Sequence, residues 1–146
     1  MKTSHSCKGI YTFKHIRDGE VIETRRVENV YTDTGKAEVA NLIIGQGTSF
    51  THIGIGTGTT SETSSDTSLE SENQRNSATT SIVTTNVTDD TARFVATFNF
   101  SSNVSITEAG VFNNSTGGTM ISRTTFGSLN FSSGDSVEVT FDLTNQ

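Results

Sequence analysis

The chain is 146 residues long, 31% hydrophobic and free of proline, with a formal net charge of −6 and 13 glycines. A single domain of this size buries about 70% of its unfolded surface, and the acidic balance excludes an electrostatic nucleic-acid binder, which needs surplus Lys and Arg to displace counterions. The lone Cys7 excludes an internal disulfide, and no apolar run approaches the ~18–20 residues of a membrane span. The first residues carry a basic side chain but no continuous apolar stretch, so no signal peptide is expected.

Charge is unevenly spread: residues 1–36 hold seven basic side chains against five acids, and the other 110 hold three against eleven. Residues 1–9 read as an N-terminal arm, followed by one β domain over 10–146. That domain begins with a hairpin at 10–28, in which IYTFKHIR and EVIETRRVE flank Asp18-Gly19, a pair suited to the positive φ angles of a type I′ turn. A helix is predicted over 34–44, capped by Asp33 or Thr34 and stopped by Gly45. Its Ala37, Val39, Ala40, Leu42, Ile43 and Ile44 give it a broad apolar face.

FTHIGIG follows as a strand, and 57–77 is so polar that an exposed loop anchored by Leu69 is expected. Strands are then predicted over 78–87, 91–100, 103–112, 119–126 and 136–144, with a turn at Thr88-Asp89-Asp90. Phe94, Ala96, Phe98 and Phe100 alternate strictly, as do Val137, Val139, Phe141 and Leu143, which marks faces turned to a core. The class is mainly β: an antiparallel sandwich or barrel of about six to eight strands with one short helix. Without proline, exposed sheet edges have to be guarded by charges or by other subunits.

Gly54, Gly56 and Gly58 invite a phosphate-loop reading, but no lysine follows Lys36 and no apolar helix follows Gly58. Glycine alternating on one face of a strand instead marks the close approach of another backbone or of an aromatic ring. Glu62, Asp66, Glu70 and Glu72 lack the spacing of a calcium loop. His5, His15 and His52 lack ligand spacing, and His15 and His52 are expected to point out of their strands. No catalytic, cofactor or metal residue is assigned.

Several segments carry a resemblance: ANLIIG, IGIGTGTT, the Asp66-Thr67-x-Leu69-x-x-Glu72 run, ITEAGVFN at 106–113, the Gly-Gly turn and the Arg-Thr-Thr-Phe at 123–126. Over residues 29–144 the chain resembles small virion structural proteins of tailed viruses of bacteria and archaea, which serve as capsid decoration or turret proteins and as tail-fibre-associated proteins. The resemblance implies a non-enzymatic protein made in the host cytoplasm and located on the virion. Its partners would be the major capsid protein or other virion proteins, and a symmetric oligomer, a trimer, is expected from that role.

The unmatched first 28 residues are the expected attachment region, with Lys2, Cys7, Lys8, Ile10, Tyr11 and Phe13 as candidates. Thr57, Glu62, Asp66, Leu69 and Glu72 mark the candidate exposed loop. A tail-tip or fibre role at the host surface is the alternative, and a carbohydrate-active enzyme the remote one. Neither nucleic acid nor membrane is an expected partner.

Overall fold

A computed structural model describes residues 5–146 and shows two packed antiparallel sheets with one helix. Lys2 lies outside the described residues. In chain order the elements are β1 (Cys7–Arg17), β2 (Glu20–Glu28), β3 (Val30–Tyr31), α1 (Asp33–Ile43), β4 (His52–Gly56) and β5 (Glu72–Ser77). There follow β6 (Thr79–Val83), β7 (Thr91–Asn99), β8 (Val104–Phe112), β9 (Met120–Phe131) and β10 (Ser136–Asn145). The first sheet has the order β2-β1-β10-β7-β6 and the second β3-β9-β8-β4-β5. This is a sandwich, with ten strands among the described residues rather than six to eight.

The strands missing from the sequence reading are the short β3 and the polar β5, which carry no alternating signal. At one side Asn29 alone links β2 to β3, and at the other Ala78 alone links β5 to β6, so the chain changes sheets at both margins. The β1–β2 hairpin turns at Asp18 (φ 51°) and Gly19 (φ 77°), as the Asp-Gly pair predicts. The expected arm over 1–9 is corrected for residues 6–9, and residues 1–4 lie outside the described residues. Cys7, Lys8 and Gly9 already pair with Asn145, Thr144 and Leu143, and Ser6 exchanges two backbone hydrogen bonds with Gln146. Their polar sequence hides the strand, whose partner lies at the far end of the chain.

Cross-strand rows build the core. On the first sheet Val27, Tyr11, Phe141 and Phe94 stand side by side, with Phe13, Val139 and Ala96 in the next row. Ile53, Ile55, Ala109 and Val111 face them from the second sheet, and all but half-buried Val27 are buried. The Tyr11 hydroxyl, carried into this apolar layer, bonds Ser122 at 2.5 Å. A buried hydroxyl needs such a partner, since leaving it unpaired costs about 1–3 kcal/mol.

The polar strand β5 has a defined task. Beyond the end of β6, strand β7 has no neighbour on that side, and β5 supplies side-chain amides instead. Asn76 Nδ2 donates to Thr97 O at 2.8 Å and Gln74 Nε2 to Asn99 O at 3.1 Å. The region 57–77 is therefore a loop only as far as Ser71.

Helix α1 begins one residue earlier than predicted, because Thr32 accepts the Gly35 N–H at 2.9 Å and acts as the N-cap. Gly35 is required here, since a Cβ would come within 2.6 Å of the Ile121 Cα. The broad apolar face is not buried: only Val39 and Leu42 pack on the core, while Ile43 and Ile44 are 80% and 70% exposed. The helix covers part of one end of the sandwich, so one narrow stripe is all that finds a partner. Two strand ends also differ from expectation. β6 stops at Val83 because Asp90 accepts the N–H groups of Thr85, Asn86 and Val87 and curls that segment into a loop. β9 runs on through Gly127 to Phe131.

Candidate functional site

The alternating glycines resolve into a seat for the loop. On the outer face of the second sheet, Gly54 and Gly110 lie side by side in register, and Leu69 rests on both. A Cβ on Gly54 would meet the Phe112 ring at 2.9 Å, and one on Gly56 would meet the Ser71 carbonyl oxygen at 2.4 Å. A side chain at either position would lift the loop off the sheet. Leu69, Phe112 and Met120 make a small second core beneath it, so Leu69 is the anchor the sequence suggested. Arg75 closes one side, with its guanidinium 3.5 Å from the centre of the Phe112 ring and a hydrogen bond to Glu72.

The polar half of the seat is Glu108, fully buried on β8. Its Oε1 accepts the Gly58 N–H at 3.0 Å and the Ser71 N–H at 2.8 Å. Its Oε2 accepts the Glu70 N–H at 3.0 Å, and Arg123 Nε and Nη2 converge on the same oxygen at 3.0 and 2.9 Å. Arg123, 2% exposed, reaches past it to Asp66 Oδ2 at 2.9 Å. Burial works against the Asp66 charge, but hydrogen bonds from Thr63 and Arg123 outweigh it and hold the carboxyl below its ordinary range. Glu70 is likewise held low, by the Thr60 hydroxyl and the Thr59 and Thr60 amides.

These residues were expected to be a solvated loop. Thr57 and Glu72 are indeed exposed, whereas Glu62 and Asp66 are half-buried and Leu69 is buried. Glu62 is tied down by the Thr125 hydroxyl. Sequence reasoning missed Glu108 and Arg123. The available signal was a charged residue at Glu108 and Arg123 inside otherwise apolar or hydroxyl-bearing strands, beside glycines that leave room for them.

A second buried cluster ties the β9–β10 turn to β1. Asp135, 3% exposed, accepts from His15 Nε2 at 2.8 Å, from Arg17 Nε and Nη2 at 2.9 Å each, and from Ser132 N at 2.8 Å. The Arg17 contact first, then the Ser132 amide and His15, hold its carboxyl far below the usual range. His15 is 5% exposed, so the expectation that it points outward is corrected. The β1 alternation that buries Tyr11 and Phe13 buries it too, and Asp135 supplies its polar partner.

The attachment candidates divide in the same way. Tyr11 and Phe13 are core residues, 0% and 1% exposed, and offer no surface. Ile10 and Cys7 are half-buried, the Cys7 thiol donates to Asn145 Oδ1 at 3.3 Å, and burial pushes that thiol up. Lys8 alone among the described candidates is exposed, and it pairs with Glu28 at 3.3 Å. The apolar surface of the hairpin lies on β2, where Val21 and Ile22 are 54% and 49% exposed.

An apolar cleft of about 430 Å³ opens at the end of the sandwich that α1 only partly covers. Val39 and Leu42 form one wall, Ile82 and Phe94 another, and Phe50 and Leu143 also line it. Among the described residues no cluster of three or more His, Cys, Asp or Glu side chains is arranged to hold a metal ion. Comparison with protein-family models, with curated proteins and with solved structures finds no match to this chain.

Proposed function

We propose that this chain is a non-enzymatic virion structural protein, a decoration or turret protein that binds the outer surface of a tailed-virus head. The observation that carries the reading is where the family-like residues lie. Gly54, Gly56 and Gly58, Asp66 and Leu69, Glu108 and Gly110, and Arg123 come from four separate segments, yet they form one clamp, buried except at half-buried Asp66. What these segments share is a way of fastening a long loop to a sheet, not a reactive centre.

The charged groups support the same reading. Asp135, Glu108 and Asp90 each hold several backbone or side-chain donors, which fixes loops and leaves their oxygens engaged. A mildly acidic β domain without disulfides suits repetitive display, where many copies make weak contacts additive. Docking is assigned to the exposed part of the N-terminal hairpin, Lys8 and the Val21-Ile22 segment of β2, on the major capsid protein or a neighbouring virion protein.

Quantitative mass spectrometry of purified particles of the virus encoding the chain tests this. Stoichiometry matching the capsid lattice is expected. A few copies per particle would instead favour a tail-tip or fibre component, and absence from the particle would defeat the virion reading.

A further inference from the structure

Asparagine is chemically labile where the amide nitrogen of the next residue reaches its side-chain carbonyl carbon. A small following side chain leaves room for that approach, and a turn brings the two groups together. No asparagine here precedes a glycine, and only Asn76 and Asn114 precede a serine. The two share a dipeptide, so only their surroundings rank them.

Asn114 is exposed, in the turn between β8 and β9 where Gly117 and Gly118 take φ angles of 58° and 73°. The Ser115 N–H donates to Asn114 Oδ1 at 2.7 Å, and the Ser115 hydroxyl donates to the same oxygen at 3.4 Å. The Ser115 nitrogen therefore sits beside the Asn114 Cγ, which is bonded to that oxygen. Closing a five-membered ring requires this placement, and holding it in advance removes part of the entropic barrier. The hydroxyl remains a donor after the amide has lost its proton, and so steadies the oxygen as charge develops on it. Arg75 Nη1 fixes the turn from the other side, donating to Asn114 O at 3.0 Å and Gly117 O at 2.8 Å.

Asn76 is placed in the opposite way. It lies in β5 paired with Ile53, Ser77 is paired with His52, and its Nδ2 donates to Thr97 O at 2.8 Å. Ring closure there requires the strand to open first. Asn113 is tied down as well, through Oδ1 to the Thr119 N–H at 2.7 Å and through Nδ2 to Glu38 at 3.4 Å.

We propose that Asn114 is a site of spontaneous deamidation, converting through a succinimide to isoaspartate and aspartate. The Ser115 amide nitrogen gives its proton to a solvent base and attacks Cγ. The N–Cγ bond forms, the Cγ–Nδ2 bond breaks, and ammonia leaves with a proton taken from water. Water then opens the ring, at the side-chain carbonyl to give aspartate or at the main-chain carbonyl to give isoaspartate. The second route turns Asn114 O, already bonded by Arg75, into a free carboxylate, so the guanidinium gains a charged partner. Only water is consumed, and the site does not depend on the virion reading.

Incubation of the full chain at mildly alkaline pH, followed by peptide mass spectrometry with fragmentation, tests it. In the folded chain, conversion at Asn114 is expected to be at least about tenfold faster than at Asn76. In urea, where only the common dipeptide remains, that ratio is expected to fall toward one. Ser115→Pro, which has no N–H to lose, is expected to abolish conversion at 114, with circular dichroism and melting as the check on folding. No conversion at Asn114, a folded-state ratio near one, a ratio that urea leaves unchanged, or conversion that persists in Ser115→Pro would each overturn the proposal.

Discussion

Replacing Glu108 with alanine should be the most damaging single change in the outer face of the second sheet. Glu108 is fully buried, and its loss leaves Arg123, 2% exposed, with Asp66 as its remaining carboxylate. Breaking a buried ion pair by removing one partner costs about 3–5 kcal/mol, chiefly because the other charge is left uncompensated. The N–H groups of Gly58, Glu70 and Ser71 lose their acceptor as well. Glu70 and Ser71 are exposed and can turn to water, so they add little; Gly58 is buried and cannot. Because Arg123 keeps Asp66, the expected loss lies at the lower end of that range, about 3 kcal/mol, still a large share of the roughly 5–15 kcal/mol that holds a domain together.

Urea unfolding measures this as a lower midpoint. Hydrogen exchange should show faster exchange at the amides of 58, 70 and 71 than at those of β1 and β10. A double variant, Glu108→Leu with Arg123→Met, should be less destabilised than Glu108→Ala alone, since the buried guanidinium is gone and half-buried Asp66 keeps the Thr63 amide and hydroxyl as donors. If Glu108→Ala unfolds within about 1 kcal/mol of the native chain, an ordinary value for one neutral hydrogen bond, the clamp is not what holds the loop.

Four further outcomes are expected. Gly56→Ala should cost about 1–3 kcal/mol by forcing its Cβ against the Ser71 carbonyl, whereas Gly127→Ala, whose Cβ would meet nothing closer than 3.8 Å, should be nearly neutral; equal effects in a melting comparison would contradict the close-approach argument. Tyr11→Phe should cost about 1–3 kcal/mol because it strands the buried Ser122 hydroxyl, and the further change of Ser122 to alanine should recover part of that loss. Asp135 and Asp90 are both held below the ordinary carboxylate range in the folded state. Their contribution is thus complete above about pH 5 and is lost as the pH falls below about 4, so Asp135→Asn should flatten that acid limb in a stability–pH series. Val21→Lys with Ile22→Lys should leave melting unchanged, both side chains being about half exposed, while reducing occupancy on particles; unchanged occupancy would remove β2 from the docking face.

Deleting residues through Gly9 would be a poor test of docking. It removes three register pairs with β10 together with any attachment contact.

Strict alternation was enough to identify the core faces of β7 and β10, because on a sheet with one buried side the period of two is the physical requirement itself. Phe94, Ala96, Phe98 and Phe100 are all buried, and so are Val137, Val139 and Phe141. Local chemistry also placed the Asp18-Gly19 turn and the Gly45 stop, since positive φ is a property of the residue and its immediate neighbours.

Partnership across distance was not legible. Tyr11, Phe13 and Lys8 sit on one strand, but only the opposing sheet decides that the first two are interior. Glu108 and Arg123 look like surface charges until the loop folds over them, and ENQRNS looks like loop until the uncovered carbonyls of β7 give its amides something to bind. The chain by itself determined which residues alternate, where it turns, and that glycine leaves room beside Ile53 and Ile55. Only the tertiary structure decided what fills that room, because a buried charge is stable only where donors from distant segments converge on it.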